Sequence, residues 1–283
     1  MNQQLLIADS GSTKTDWCLV SNGSKEFFST IGFSPYFQSS NDISKELSEN
    51  LLPKIRNQLQ PNCKLFFYGT GCSSEDKIKI VYNALRSVFP DADITINHDL
   101  LAAARALLGK ENGIAAILGT GANTCLYDGM EIIENVTSLG FILGDEGSGA
   151  HIGKSIVKSI IYKELDKDVL DDFANEYKLD VASILDAVYK KPLPNRFLAS
   201  FAKFAFKHKS NLGVKKILYS CFDEFFINHI CKYDGYKNLP FNCVGSIAIN
   251  FADEISFVAS KYGIKLGKTL QSPILGLIEY HKE

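Results

Sequence analysis

Several short stretches combine residue types that can handle a phosphate and a hydroxyl. Asp9-Ser10-Gly11-Ser12-Thr13-Lys14-Thr15 follows the apolar run Leu5-Leu6-Ile7-Ala8. Glycine and serine let a backbone come close to an anion, amides and hydroxyls donate to it, and Lys14 adds a point charge. Asp9 conflicts with that role, because a carboxylate repels a phosphate unless a cation lies between them. Mg2+ resolves the conflict, since it keeps several waters and is held by one or two carboxylates together with phosphate oxygens. The alternative is an Asp-Ser-Gly hairpin with no ligand. Gly119-Thr120-Gly121-Ala122-Asn123 is a second hairpin of this kind. Two such loops facing each other across a cleft would grip one polyphosphate from both sides.

Asn97-His98-Asp99-Leu100 reads as a strand end opening into a helix. Asp99 is then either an N-cap or a general base that accepts a proton from a substrate hydroxyl as a phosphoryl group arrives. Leu143-Gly144-Asp145-Glu146-Gly147-Ser148-Gly149 sets two adjacent acids in a glycine-rich loop. Such a pair is commonly a solvated turn, but the apolar flank from Leu139 to Leu143 argues for a buried role in binding polyol hydroxyls. Ser148 to Ser155 nearly matches the phosphate-loop pattern G-x-x-x-x-G-K-[ST], but serine stands where the first glycine is required. The acids just upstream would also repel a triphosphate, so Gly153-Lys154 is expected inside a helix.

The elements that must position these residues alternate. Strands are predicted at 5–8, 16–20 and 26–30, close enough to form consecutive antiparallel hairpins. Ile43, Leu47, Leu51, Ile55 and Leu59 repeat every four residues and predict a helix capped by Asn41 and running to about Gln60. A strand at 65–68, a helix over 74–89, a strand at 94–96 and an alanine-rich helix over 100–108 follow. After the linker at 109–113 the pattern restarts with strands at 114–118 and 124–127. Ile7 to Thr13 and Ile117 to Asn123 share one design at an offset of 110 residues. This is a weak internal duplication, or else the general preference of tight turns for glycine and serine. Residues 148–233 read as mostly helical, followed by a strand at 241–244, a helix over 247–262 and a last helix from Pro273 to about Tyr280.

Composition narrows the class. Of 283 residues, 46% are hydrophobic and 22% charged, which describes a soluble globular protein whose length suggests two domains, and the alternation of strands and helices makes it α/β. A formal net charge of −2 argues against a nucleic-acid-wrapping surface. No apolar run reaches the roughly 18 residues of a membrane span. The start, MNQQLLIADSGS, has no secretory pattern, so a cytoplasmic protein is expected. Seven scattered cysteines and five histidines show no metal-ligand spacing and read as a reduced, metal-free set.

Taken together, ADSGSTKTDW (8–17), YGTGCSS (68–74), INHDLLAAA (96–104), ILGTGANT (117–124), LGDEGSG (143–149) and CVGSIA (243–248) resemble the N-acetylglucosamine kinase branch of the BadF/BadG/BcrA/BcrD ATPase family. That family lies within the actin/hexokinase/heat-shock-ATPase superfamily. The resemblance implies two ribonuclease-H-like (actin-like ATPase) domains with a cleft between them, the second enriched in helices. The expected boundaries are 1–111 on the sugar and phosphate side and 112–283 on the nucleotide side, with helix 273–283 packing back on the first domain. By motif, Asp9 organises Mg2+, while Ser12, Thr13 and Lys14 lie near the β- and γ-phosphates of ATP. Asp99 is the base, Thr120 and Gly121 form the second phosphate hairpin, and Gly245 and Ser246 lie by the adenosine. Asn123 and Asp145 bind the sugar, with Ser73 contributing from the N-terminal domain. Around Gly32-Phe33-Ser34-Pro35-Tyr36 the family places an asparagine that touches the sugar, and this chain has Ser34 or Tyr36 instead.

The function implied is transfer of the γ-phosphoryl group of ATP to the 6-hydroxyl of N-acetylglucosamine or a related amino sugar, with domain closure excluding water. The partner is a small-molecule sugar, with neither nucleic acid nor membrane, and a homodimer is left open. The rival is an ATPase acting as a conformational switch for a partner protein. Reductase activators of that sort carry an intersubunit iron–sulfur cluster, for which this chain has no clustered cysteines. A non-catalytic, sugar-responsive regulator is the least favoured reading.

Overall fold

The computed structural model describes residues 3–11 and 13–282. The chain divides into two compact units, Met1–Gly109 with Ser272–Glu283, and Lys110–Gln271. In the first unit β1 (Leu5–Ser10), β2 (Lys14–Ser21) and β3 (Ser24–Ile31) form an antiparallel meander. β4 (Lys64–Gly69) and β5 (Asp93–His98) add in parallel to the other side of β1, giving the order β3-β2-β1-β4-β5. Period-two alternation turns Leu6, Ala8, Trp17, Leu19, Leu65 and Phe67 toward one core. Onto it pack Ile43, Leu47, Leu51 and Ile55 from one helical segment and Val81 and Leu85 from helix Glu75–Val88. Helices Asp99–Leu108 and Ile274–Lys282 also pack on this sheet, the second placing His281 on the Phe66 ring at 3.7 Å.

The helix predicted over 41–60 differs in two respects. Its cap is Ser39, which makes a reciprocal capping box with Asp42, so Asn41 does not cap. It also widens into a π-turn at Leu47–Leu51 and stops at Ile55. Pro53 accounts for the widening, because its ring clashes with the carbonyl one turn back and it has no N–H to donate.

The second unit repeats the plan. β6 (Gly113–Leu118), β7 (Ala122–Tyr127) and β8 (Ile132–Glu134) form an antiparallel meander. β9 (Phe241–Val244) and β10 (Leu266–Leu270) are parallel to β6, in the order β10-β9-β6-β7-β8. The two sheets have the same connectivity, which decides for duplication over chance turn chemistry and matches the ribonuclease-H-like expectation. β8 and β10 were not anticipated. One has three residues and the other, Leu-Gly-Lys-Thr-Leu, carries a register shift, so neither shows the alternation that marks a strand. Between β8 and β9 lie helices Gly149–Ile161, Lys167–Tyr177, Val181–Tyr189, Pro194–Ser200, Ala202–Lys207 and Leu212–Asn228. Their core is aromatic, with Phe173 edge-on to Phe204 at 5.2 Å and Phe226 edge-on to Phe241 at 5.4 Å. The helix predicted over 247–262 is broken at Phe251 into Ser246–Asn250 and Ala252–Lys261.

All seven cysteines are free thiols and six are buried, and burial pushes Cys125, Cys221 and Cys243 up to about 12. They behave as small hydrophobes. Among the described residues no helix is long and apolar enough to cross a membrane.

Candidate active site

In the first unit the chemistry-bearing residues gather at the carboxyl ends of β1, β4 and β5. Asp9 pairs across the sheet with Asp16 on β2 and Tyr68 on β4. Burial, reinforced by the negative charges of Asp99 and Asp16, pushes its carboxyl up to about 7 against a weak opposing hydrogen bond from Ser272. A carboxyl so raised, flanked by two more carboxylates, favours the arrival of a cation. Among the described residues no three His, Cys, Asp or Glu side chains are close enough to cage a metal by themselves. Asp9 has the chemistry of the one or two carboxylates that a hydrated Mg2+ takes beside phosphate oxygens.

The hairpin between β1 and β2 is closed by the Gly11 amide donating to the Lys14 carbonyl at 3.0 Å. Thr13 is exposed on it, and Ser12 lies outside the described residues. The Lys14 ammonium pairs with Asp16 at 2.6 Å. Ser10, at the end of β1, accepts from the Phe33 amide at 3.2 Å and shares a 2.7 Å hydrogen bond with Thr15, while its carbonyl accepts from the Thr70 amide at 2.9 Å. These bonds tie the 69–74 loop to the strand that carries Asp9.

Asp99 does not cap its helix. His98 does, its Nδ1 accepting from the Leu101 amide at 3.3 Å, and burial lowers the pKa of this imidazole, which suits an accepting nitrogen. Asp99 is thereby released from the structural role and instead accepts from the Thr70 hydroxyl at 2.6 Å. Thr70 and Asp16 were missed by sequence reasoning, although both lie inside quoted motifs, YGTGCSS and ADSGSTKTDW. Ser73 is exposed and hydrogen-bonded to the Tyr36 hydroxyl at 3.1 Å, with Lys77 over the Tyr36 ring. Ser34 uses its amide to donate to Gln38 at 2.7 Å.

In the second unit the hairpin Gly119-Thr120-Gly121 closes on itself through a Gly119 amide to Gly121 carbonyl bond at 3.0 Å. Its Gly119 and Thr120 carbonyls accept from the Gly149 and Ala150 amides at 2.8 and 3.0 Å. The amino end of helix Gly149–Ile161 is thus satisfied within the protein, with Ser148 as its cap, and Gly153-Lys154 lies in the helix as expected. The phosphate-loop lookalike has no open amides to offer an anion. Thr120 and Ser246 line one cavity of about 190 Å³ together with Lys203, Phe206, Asn250 and Phe251. Gly245, just before Ser246, has φ +124°, and a Cβ there would lie 2.2 Å from the Leu118 carbonyl oxygen, so only glycine lets β9 turn into the helix at this point. A second cavity, about 640 Å³, is lined by Lys110, Tyr127, Asp128 and Asp234, and none of the expected site residues reaches it.

Asn123 accepts from the Thr124 amide and the Asn135 side chain, both at 3.0 Å. Asp145 is 8% exposed, and its Oδ1 accepts from the Ala122 amide at 3.3 Å and the Ser138 hydroxyl at 3.0 Å. The Ala122 bond brings Asp145 beside Asn123. The reason anticipated for its burial does not hold, because the apolar flank is itself exposed, Ile142 at 72% and Leu143 at 74%. Asp145 is buried because the chain turns inward at Gly144.

No protein-family model and no curated protein sequence matches the chain. Among solved structures, a putative N-acetylglucosamine kinase from Porphyromonas gingivalis is similar at 41% identity over 98% of each chain, with a TM-score of 0.93. A putative N-acetylglucosamine kinase from Chromobacterium violaceum is similar at 15% identity over 98% of each chain, with a TM-score of 0.73. A ROK family glucokinase from Streptomyces griseus, solved with glucose and AMPPNP, is similar at 12% identity over 98% of this chain and 97% of that one, with a TM-score of 0.60. The last two likenesses are of fold alone, and the fold is that of the actin-like ATPases and ROK kinases.

Proposed function

This chain belongs to the family of the Porphyromonas gingivalis putative N-acetylglucosamine kinase, and from that premise we propose that it is an ATP-dependent kinase of an amino sugar. The acceptor is the 6-hydroxyl of N-acetylglucosamine or a close relative, and the motifs favour the BadF/BadG/BcrA/BcrD branch. The observation that carries the reading is Asp99, a carboxylate at the start of a helix that another residue caps, oriented by the Thr70 hydroxyl at 2.6 Å.

In this mechanism Asp99 accepts the proton of the sugar hydroxyl as that oxygen attacks phosphorus, and the Thr70 bond holds the receiving carboxylate in line. Asp9 would hold Mg2+, and Ser12, Thr13 and Lys14 would bind the β- and γ-phosphates, with Lys14 giving up its pairing with Asp16. When bound, Mg2+ neutralises charge that develops on the phosphate oxygens. Thr120 and Gly121 present the second hairpin to the nucleotide, and Gly245 and Ser246 lie by the adenosine, with Lys203 and Phe206 in the same cavity wall as Ser246. Asn123, Asp145 and Ser73 bind the sugar.

ADP release measured with MgATP across N-acetylglucosamine, glucosamine, N-acetylmannosamine and N-acetylmuramic acid tests the reading. Turnover that depends on one of these sugars is expected. Equal turnover with and without sugar would replace the kinase by the conformational-switch ATPase.

A further inference from the structure

The Asp145–Gly147 loop is held in an unfavourable shape by Glu146 together with Asn228 and His229, two residues that no motif of the chain includes. Asp145 has φ +56°, in the left-handed region that non-glycine residues enter only at a cost. Gly147 follows at φ +74°, and a Cβ there would lie 2.9 Å from Phe225 Cβ. Between them Glu146 reaches the end of helix Leu212–Asn228. Its carboxylate accepts from the Asn228 amide group and from His229 Nε2, both at 3.0 Å. Burial would raise the Glu146 carboxyl, but its own backbone amide and the bonds from His229 and Asn228 outweigh that and lower it, so it is ionised and His229 donates through Nε2.

His229 is 3% exposed and lies against the Phe225 ring at 5.6 Å. Its other nitrogen, Nδ1, is buried without a hydrogen-bond partner. Leaving a buried imidazole nitrogen unpaired is costly, and an apolar residue of similar size would avoid that cost. A second imidazole completes the support, with the Gly147 amide donating to His151 Nδ1 at 3.2 Å. Two costs, one in backbone and one in side chain, therefore meet on one loop, and the group they fix is the buried Asp145 carboxylate. Its Oδ1 already takes two hydrogen bonds, leaving Oδ2 for a hydroxyl donor.

We propose that Glu146, Asn228 and His229 form a clamp that presents Asp145 to the sugar, with His229 a positioning residue that never touches substrate. This rests on the sugar-kinase reading above.

The test compares the wild type with His229→Leu, His229→Gln and Glu146→Gln in steady-state kinetics and in amide hydrogen exchange of Gly147 and Ser148. His229→Leu is expected to raise the KM for the sugar roughly tenfold and to leave the KM for ATP within about twofold. His229→Gln, whose side-chain N–H still reaches Glu146, should recover most of that loss. Exchange at Gly147 and Ser148 should accelerate in His229→Leu and Glu146→Gln. Unchanged exchange, or equal rises in both KM values, overturns the clamp. Glu146→Gln, nearly isosteric and at a side chain that is only partly buried, supplies the same comparison if His229→Leu fails to fold. Should the wild type phosphorylate no amino sugar, the kinase reading fails, and exchange alone then decides whether the clamp exists.

Discussion

Asp99 shows how a neighbour can take over one of two roles open to a residue. In the sequence it suited both a helix cap and a base, and the structure gives the cap to His98 and a hydroxyl partner, Thr70, to Asp99. Replacing Asp99 by Asn is expected to lower kcat by about 10² to 10⁴ while both KM values stay within about threefold. A near-normal kcat would remove Asp99 from the mechanism. Thr70→Val takes away the donor but leaves the base, so kcat should fall by only about tenfold, read in the same assay. The Asp9–Asp16–Asp99 set and the Thr70 hydroxyl could not be assembled from the sequence, because Thr70 and Asp99 are 29 positions apart and meet only when β4 and β5 pair in parallel.

At the scale of elements, the closing helix Ile274–Lys282 is tied to the first unit by His281. Its ring stacks on Phe66 at 3.7 Å, and Nε2 shares a 2.8 Å hydrogen bond with the Tyr68 hydroxyl. Burial, with help from Arg105 and Lys64, lowers the imidazole to about 4. A lowered histidine contributes stability that is complete above its unfolded value near 6.5 and is lost as pH falls through about 4. With solvent screening discounted, the loss between pH 7 and pH 4 is on the order of 2 kcal/mol. Urea denaturation at a series of pH values should show that slope in the wild type, and His281→Phe should flatten it. An identical slope in both proteins would show that His281 does not couple the helix to pH. The helix itself was legible from Pro273 and its apolar run, whereas the π-turn at Leu47–Leu51 was not. A four-residue repeat marks the buried stripe but does not report how a proline within it will be accommodated.

For the whole molecule, charge bears on function as much as fold does. With a formal net charge of −2 the chain has no bulk attraction for ATP, so the proposed mechanism draws its affinity from short-range groups on the hairpins and from Mg2+. The KM for MgATP should therefore change by less than about threefold between 50 and 300 mM KCl, and a steep rise would point to long-range steering instead. Both sheets have one connectivity, and the sequence carried this as two matching strand-to-hairpin stretches 110 residues apart, because a tight turn after a buried strand constrains residue types locally. The antiparallel starts, the repeat of the plan and the motif positions were legible for that reason, whereas the strand order was not. The short edge strands β8 and β10, the exposure of Leu139 to Leu143, the release of Asp99 from capping and the Glu146–His229 bond were not. Glu146 and His229 are 83 positions apart, and nothing in either residue's neighbourhood names the other. Local chemistry is written in contiguous residues, whereas a carboxylate's partner is chosen by which strands pair and which helix ends beside it.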